Sequence, residues 1–170
     1  MIITGGKFKG RHIIAPDENI TRPTLSKVRM GVFNALYSMI GDFAGKSFFD
    51  VFGGSGIMGI EALSRGFSEV IVCKKNPKAA QIIKKNYSML NISPNLYIGD
   101  CRKYIKNNNI TYDVIYIDPP YSSGIYEEIF NLLEGKASLI IAEHSENIEI
   151  KNFSLIKTKN YGGKMVSFYA

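Results

Sequence analysis

The sequence predicts an α/β fold: a mostly parallel, doubly wound sheet ending in an antiparallel hairpin, with a small β-hairpin and a helix ahead of it. Continuous apolar runs alternate with stretches of helical period, the pattern of parallel strands covered on both faces. The tail "FSLIKTKNYGGKMVSFYA" breaks that alternation with two strand-like runs around Gly162-Gly163. The chain has 170 residues and 45% hydrophobic content, enough for one substantial core and short for two. Residues 1–170 are therefore expected to form a single domain, with 1–40 as its N-terminal extension.

Taken in order, "MIITGGKFKGRHIIAP" places Ile-rich stretches on either side of Gly5, Gly6 and Gly10, which suits a small hairpin carrying Lys and Arg outward and closed by Pro16. From Thr24 to Ile40, the apolar residues Val28, Val32, Phe33, Leu36 and Ile40 recur at three- and four-residue steps, predicting an amphipathic helix that starts near Pro23 or Thr24. Strands are expected at "SFFDVF", "EVIVCK", "LYIGD", "DVIYID" and "SLIIAE", and helices between them at 57–65, 77–90, 101–107 and 126–134. No run approaches the length of a membrane span, and the start lacks a signal peptide's apolar stretch, so a soluble, cytoplasmic protein is expected. Cys73 and Cys101 lie far apart with no CxxC pair or histidine cluster, which argues against a disulfide framework and a metal site.

Charge is unevenly placed. Of the net +6, residues 1–30 hold Lys7, Lys9, Arg11, Arg22, Lys27 and Arg29 against only Asp17 and Glu18. A basic N-terminal face favours a polyanion, because each neutralised phosphate releases counterions. The plainer reading is a solvated charged surface.

The first chemical motif is "FDVFGGSGIMGIEAL". Asp50 ends the first strand, and Gly53, Gly54 and Gly56 form a turn through which a ligand can approach main-chain N–H groups before the helix at Ile57. A residue pattern GxGxxG is shared by dinucleotide and S-adenosylmethionine folds, and such turns are sometimes only structural. The usual partner is an acid ending the second strand, which accepts from ribose hydroxyls. Here "VIVCKKNPKAA" has Lys74 and Lys75 there, which suits the 2′-phosphate of NADP and is awkward for cationic S-adenosylmethionine. Asn76 is either a hydroxyl acceptor or, with Pro77, a helix cap. Asp100, ending the third strand, either accepts from an adenine amino group or caps the next helix.

The fourth strand runs into Asp118-Pro119-Pro120-Tyr121 at the sheet's carboxyl edge. Two prolines remove two backbone donors, leaving a carboxylate, fixed carbonyls and an aromatic ring facing the site. That set suits an exocyclic amine, whose lone pair is delocalised into its base. If Asp118 and the Pro119 carbonyl accept its two hydrogens, the nitrogen becomes more pyramidal and its lone pair turns toward a methyl donor. Tyr121 stacks on the base, an interaction of about 1–3 kcal/mol. Catalysis then rests on alignment and electrostatic stabilisation, and requires no strongly shifted pKa. As structure alone, the segment reads as a stiff turn.

In order and spacing, "TRPT" with "KVRMGVFNAL", "FDVFGGSGIMGIEALSRG", "YDVIYIDPPY" and "YGGKMVSFYA" resemble the bacterial 16S ribosomal RNA guanine-N2 methyltransferases that modify guanine-966. The resemblance covers nearly the whole chain. It implies a Rossmann-like class I methyltransferase sheet, S-adenosylmethionine as cofactor, and small-subunit ribosomal RNA or ribonucleoprotein as partner. By residue it implies a cofactor turn at Asp50, Gly54 and Gly56, an adenine-side acid at Asp100, and a catalytic motif from Asp118 to Tyr121. The family usually carries a glutamate where this chain has Lys74, which predicts weak cofactor binding unless RNA is present. Lys7, Lys9, Arg11, Arg22 and Arg29 would hold phosphates while a flipped guanine enters beside Tyr121. Phe8 either stacks on an unpaired base or pins the hairpin to the body. Three alternatives remain: an adenine amino-methyltransferase, an NADP oxidoreductase, and a catalytically weak RNA-binding relative.

Overall fold

The apolar runs become strands at Ser47–Asp50 (β1), Glu69–Lys74 (β2), Asn95–Ile98 (β3), Tyr112–Ile117 (β4) and Ala137–His144 (β5), all parallel to one another. Leu155–Tyr161 (β6) and Lys164–Tyr169 (β7) complete one seven-stranded sheet in the order β3-β2-β1-β4-β5-β7-β6. The tail hairpin turns at Gly162 and Gly163, both at positive φ, and inserts β7 antiparallel between β5 and β6. This computed structural model describes residues 1–15, 24–120 and 124–170. Pro16, Arg22, Pro23 and Tyr121 lie outside the described residues.

Helices occupy Ser26–Ile40 (α1), Ile57–Ser64 (α2), Pro77–Ser88 (α3), Cys101–Asn107 (α4) and Ile125–Leu132 (α5). Consecutive strand residues face opposite ways, so each strand feeds two cores. Phe48, Val114, Tyr116 and Ile141 pack with α1, α2 and α3 on one face, and Phe49, Ile115, Ile117 and Ile140 with α4 and α5 on the other. The apolar runs are continuous because both faces are covered. Truncating a buried ring such as Phe48 or Phe49 to alanine would cost about 3–5 kcal/mol. The strand order reverses between β1 and β4, so their carboxyl ends open the crevice in which open α/β sheets bind ligands.

Several element boundaries differ from expectation by one or two residues. The first helix begins at Ser26, one residue after its N-cap Leu25, and leaves Thr24 outside it, buried. The third strand stops at Ile98, because Gly99 takes φ +155° and Asp100 becomes the cap of α4.

The N-terminal segment folds back as expected, through an antiparallel bridge between Ile2 and His12 around a 3₁₀ turn at Gly6–Phe8. Side chains from the body fix it in place. Glu61 Oε1 accepts from Thr4 N and Oγ1 at 2.8 Å each, Ser64 Oγ from Phe8 N at 2.9 Å, and Asn86 Oδ1 from Ile14 N at 2.8 Å. Phe8 packs against the core, which selects the pinning role for it.

Arg29 is a correction. Expected to meet RNA phosphate, it is 1% exposed on the inner face of α1, beside Val28, Val32 and Phe33. Its Nε lies 3.1 Å from Glu61 Oε1, Nη2 donates to Ile2 O at 2.6 Å, and Nη1 donates to Thr24 O. This guanidinium joins α1, α2 and the N-terminal hairpin, and it is unavailable to a ligand.

Candidate active site

The carboxyl ends of β1, β2 and β4 border a cleft of about 590 Å³, within the usual range of small-molecule sites. Gly54, Lys74, Lys75, Asp100, Asp118, Pro119 and Pro120 are among its lining residues, with Val51, Phe52, Ala79 and Ile125 as apolar walls. The sheet thus brings together residues far apart in the chain. Asp50, Gly53 and Gly56 do not line the cleft.

The three glycines divide their work. At Gly53 an added Cβ would lie 2.3 Å from Val72 Cγ1, so that glycine lets the turn lie against β2. Gly56 adopts φ +83° and caps α2, where a side chain would press on Ile83 and Tyr87. At Gly54 a Cβ would meet nothing within 4 Å, so this peptide faces open cleft. Asp50 is 1% exposed and its Oδ1 has no hydrogen-bond partner. Burial pushes its carboxyl up to about 7, with Asp118 adding to the rise and the Phe52 N–H and Lys74 opposing it.

On the β2 side, Asn76 Oδ1 accepts from Ala79 N at 3.1 Å with Pro77 at the first helical position, so Asn76 is the α3 cap. Lys74 is half-buried; burial pulls its ammonium down from the ordinary lysine value, and Asp50 partly restores it. Asp100 caps α4 through Arg102 N at 2.9 Å and also faces the cleft. Hydrogen bonds from the Arg102 side chain, the nearest 2.6 Å away, hold the Asp100 carboxyl down at about 2.

On the β4 side, Asp118 follows the last strand residue, half-buried at the cleft. Lys164 Nζ lies 3.4 Å from each of its carboxylate oxygens, and Thr24 Oγ1 lies 3.4 Å from Oδ2. Behind it, Glu143 is 0% exposed, accepts from the Tyr116 hydroxyl, and stands 2.6 Å from Lys164 Nζ through Oε2. That last approach is a close ion pair to a fully buried carboxylate. Burial and the nearby Glu143 push the Asp118 carboxyl up, and Lys164 opposes them.

Sequence reading missed Glu143, Lys164 and Thr24. Glu143 carried a visible signal, a carboxylate at the carboxyl end of the apolar run "SLIIAE". Lys164 stands in the motif "YGGKMVSFYA", but its link to Asp118 and Glu143 appears only once β7 is known to lie beside β5. Of the basic residues, Lys7, Lys9 and Arg11 are exposed, and Arg11 donates to Met89 O at 2.8 Å. No helix is long and apolar enough to cross a membrane, and no three His, Cys, Asp or Glu side chains group as metal ligands, among the described residues.

The strand order, the antiparallel seventh strand and the glycine turn beside the cleft define a class I S-adenosylmethionine methyltransferase fold. The chain belongs to the family described as "Conserved hypothetical protein 95", whose model matches residues 1–170. It is 32% identical over 184 residues to "Putative rRNA methyltransferase YlbH" of Bacillus subtilis (strain 168), covering 99% of this chain and 98% of that protein. It is 35% identical over 169 residues to "Ribosomal RNA small subunit methyltransferase D" of Buchnera aphidicola subsp. Acyrthosiphon pisum, covering 92% and 86%. Among solved structures, "Putative methyltransferase yhhF from Escherichia coli" superposes with a TM-score of 0.86 at 26% identity, covering 99% of this chain and 96% of that one.

Proposed function

We propose that the protein transfers a methyl group from S-adenosylmethionine to the exocyclic N2 amine of a guanine in 16S ribosomal RNA of the small subunit. The observation that carries this reading is Asp118, held at the cleft by Lys164 and Thr24 and followed by two prolines, in the same cleft as the open peptide at Gly54. The names of the rRNA methyltransferase relatives point to the same class of substrate.

The cleft suits the cofactor: the apolar walls take the adenosine, Asp100 faces its adenine side, and the Gly54 peptide leaves room for the methionine portion. Lys74 places positive charge on the ribose side, which opposes a cationic ligand. When bound, the sulfonium supplies an electrophilic methyl group. Asp118 and the Pro119 carbonyl accept hydrogen bonds from the target amine and turn its lone pair toward the methyl donor. Held by Gly54, Asp100 and the apolar walls, the cofactor would pass its methyl group to that nitrogen, and its sulfur would keep the electron pair of the broken carbon–sulfur bond. The nitrogen becomes cationic and releases one proton, which Asp118 can accept. Tyr121 stacks on the guanine, and Lys7, Lys9, Arg11 and Arg22 hold flanking phosphates.

Incubation with labelled S-adenosylmethionine and small-subunit ribosomal RNA, followed by mapping of methylated guanines, tests the reading against an Asp118→Ala control. Lys74 favours one second reading, a relative that binds RNA and methylates poorly; binding of the RNA without methyl incorporation would identify it.

A further inference from the structure

We infer that Lys164 is a positioning residue: by touching Asp118 and Glu143 together, it keeps the Asp118 carboxylate ionised and oriented as an acceptor for the target amine. The role assigned to that acceptor rests on the proposed methyl transfer; the electrostatic hold itself does not.

The geometry is specific. Lys164 Nζ is equidistant, at 3.4 Å, from both Asp118 oxygens, so the ammonium straddles the carboxylate. On its other side it stands 2.6 Å from Oε2 of Glu143, whose Oε1 is held by the Tyr116 hydroxyl. Glu143 has no exposure to water, whereas Asp118 and Lys164 retain 21% and 26%. The groups facing Asp118 are Asp50 from β1, Tyr116 from β4, Glu143 from β5, Tyr126 from α5, Thr24 ahead of α1, and Lys164 from β7. Among these the cation in contact is Lys164, set against two other carboxylates.

Without the ammonium, Asp118 and the buried Glu143 would be adjacent like charges, and a proton would be taken up to relieve them. A protonated Asp118 presents a hydroxyl where the amine requires an acceptor. Lys164 lines none of the cleft, so it acts on Asp118 and not on the cofactor.

The test is an NMR titration of the Asp118 carboxyl carbon in the whole protein, with the pH profile of single-turnover methylation as a second readout. In Lys164→Met the Asp118 midpoint should rise by about one unit or more, as for loss of a neighbouring opposite charge. Methylation on the acid side of the profile should then fall about tenfold. Lys164→Arg should restore both, and S-adenosylmethionine affinity should stay within about twofold, as expected for a residue outside the cleft. Glu143→Gln and Lys164→Met/Glu143→Gln leave no unpaired Glu143 charge, which covers failure of the single Lys164 variant to fold. The midpoint should be lower in Glu143→Gln than in the double variant. Equal midpoints, or a rate loss in Lys164→Met that is uniform across pH, would overturn the inference. A wild-type protein that methylates no RNA refutes the proposed function instead, while the titration still decides the role of Lys164.

Discussion

Arg29 Nε lies 3.1 Å from Glu61 Oε1, and the two side chains are 1% and 0% exposed. Four further hydrogen bonds run from that guanidinium to Thr24 O, Ile2 O, Ser26 Oγ and Met1 Sδ, so one buried cation gathers the start of the chain onto α2. Arg29→Ala should lower the unfolding free energy by about 3 kcal/mol, the lower end for breaking a buried pair because Arg65 still partners Glu61. Urea denaturation checks this; a loss below about 1 kcal/mol, as for an exposed pair, would show that the pair is not the clamp described.

The exposed cations of the hairpin make a separate prediction. Replacing Lys7, Lys9 and Arg11 with glutamine should flatten the salt dependence of RNA binding by roughly two to three units of log–log slope. Cofactor affinity should not move. Filter binding across a salt series decides, and an unchanged slope would remove the hairpin from the RNA contact.

Lys74 stands where an acid would receive ribose hydroxyls. Lys74→Glu should tighten S-adenosylmethionine binding about tenfold in calorimetry without RNA, roughly one charge-assisted hydrogen bond. Ordinary micromolar affinity in the wild type, unaltered by the substitution, would dismiss the lysine as a determinant of affinity.

Asp50 ties stability to pH. Its folded value of about 7 lies above the ordinary 3.8, so the native state holds the proton more tightly than the unfolded chain. That contribution is fully present below the unfolded value and is lost as pH rises through about 7. Asp50→Asn, which stays neutral, should stabilise the protein by about 1–3 kcal/mol at pH 8 and by little near pH 4. Thermal melting at the two pH values measures the difference; equal shifts at both would contradict the assignment.

The parts of the fold legible in the sequence were those written in apolar runs. "EVIVCK" is β2 from end to end, and the Gly162-Gly163 turn marked the tail hairpin. That β7 would slip between β5 and β6 was not legible, because pairing order leaves no mark on a local pattern. The same gap hid Lys164, whose partner Glu143 sits on another strand. Arg29 was misjudged for a different reason: a charge on a helix reads as surface unless its buried counter-charge, here Glu61 thirty-two residues away, is already known to face it. Asp118 and Gly54 were legible because a strand end followed by stiff or glycine-rich chain announces an exposed carboxyl edge.

Methyl transfer itself gives the most direct measurement. Small-subunit ribosomal RNA incubated with labelled S-adenosylmethionine and the wild-type protein should gain methyl groups at guanine N2. With Asp118→Ala the rate should fall by about 10²–10³-fold, as when a transition-state hydrogen-bonding group is removed, while cofactor binding persists. Methylation that proceeds undiminished in Asp118→Ala, or that falls on adenine instead of guanine, would contradict the account.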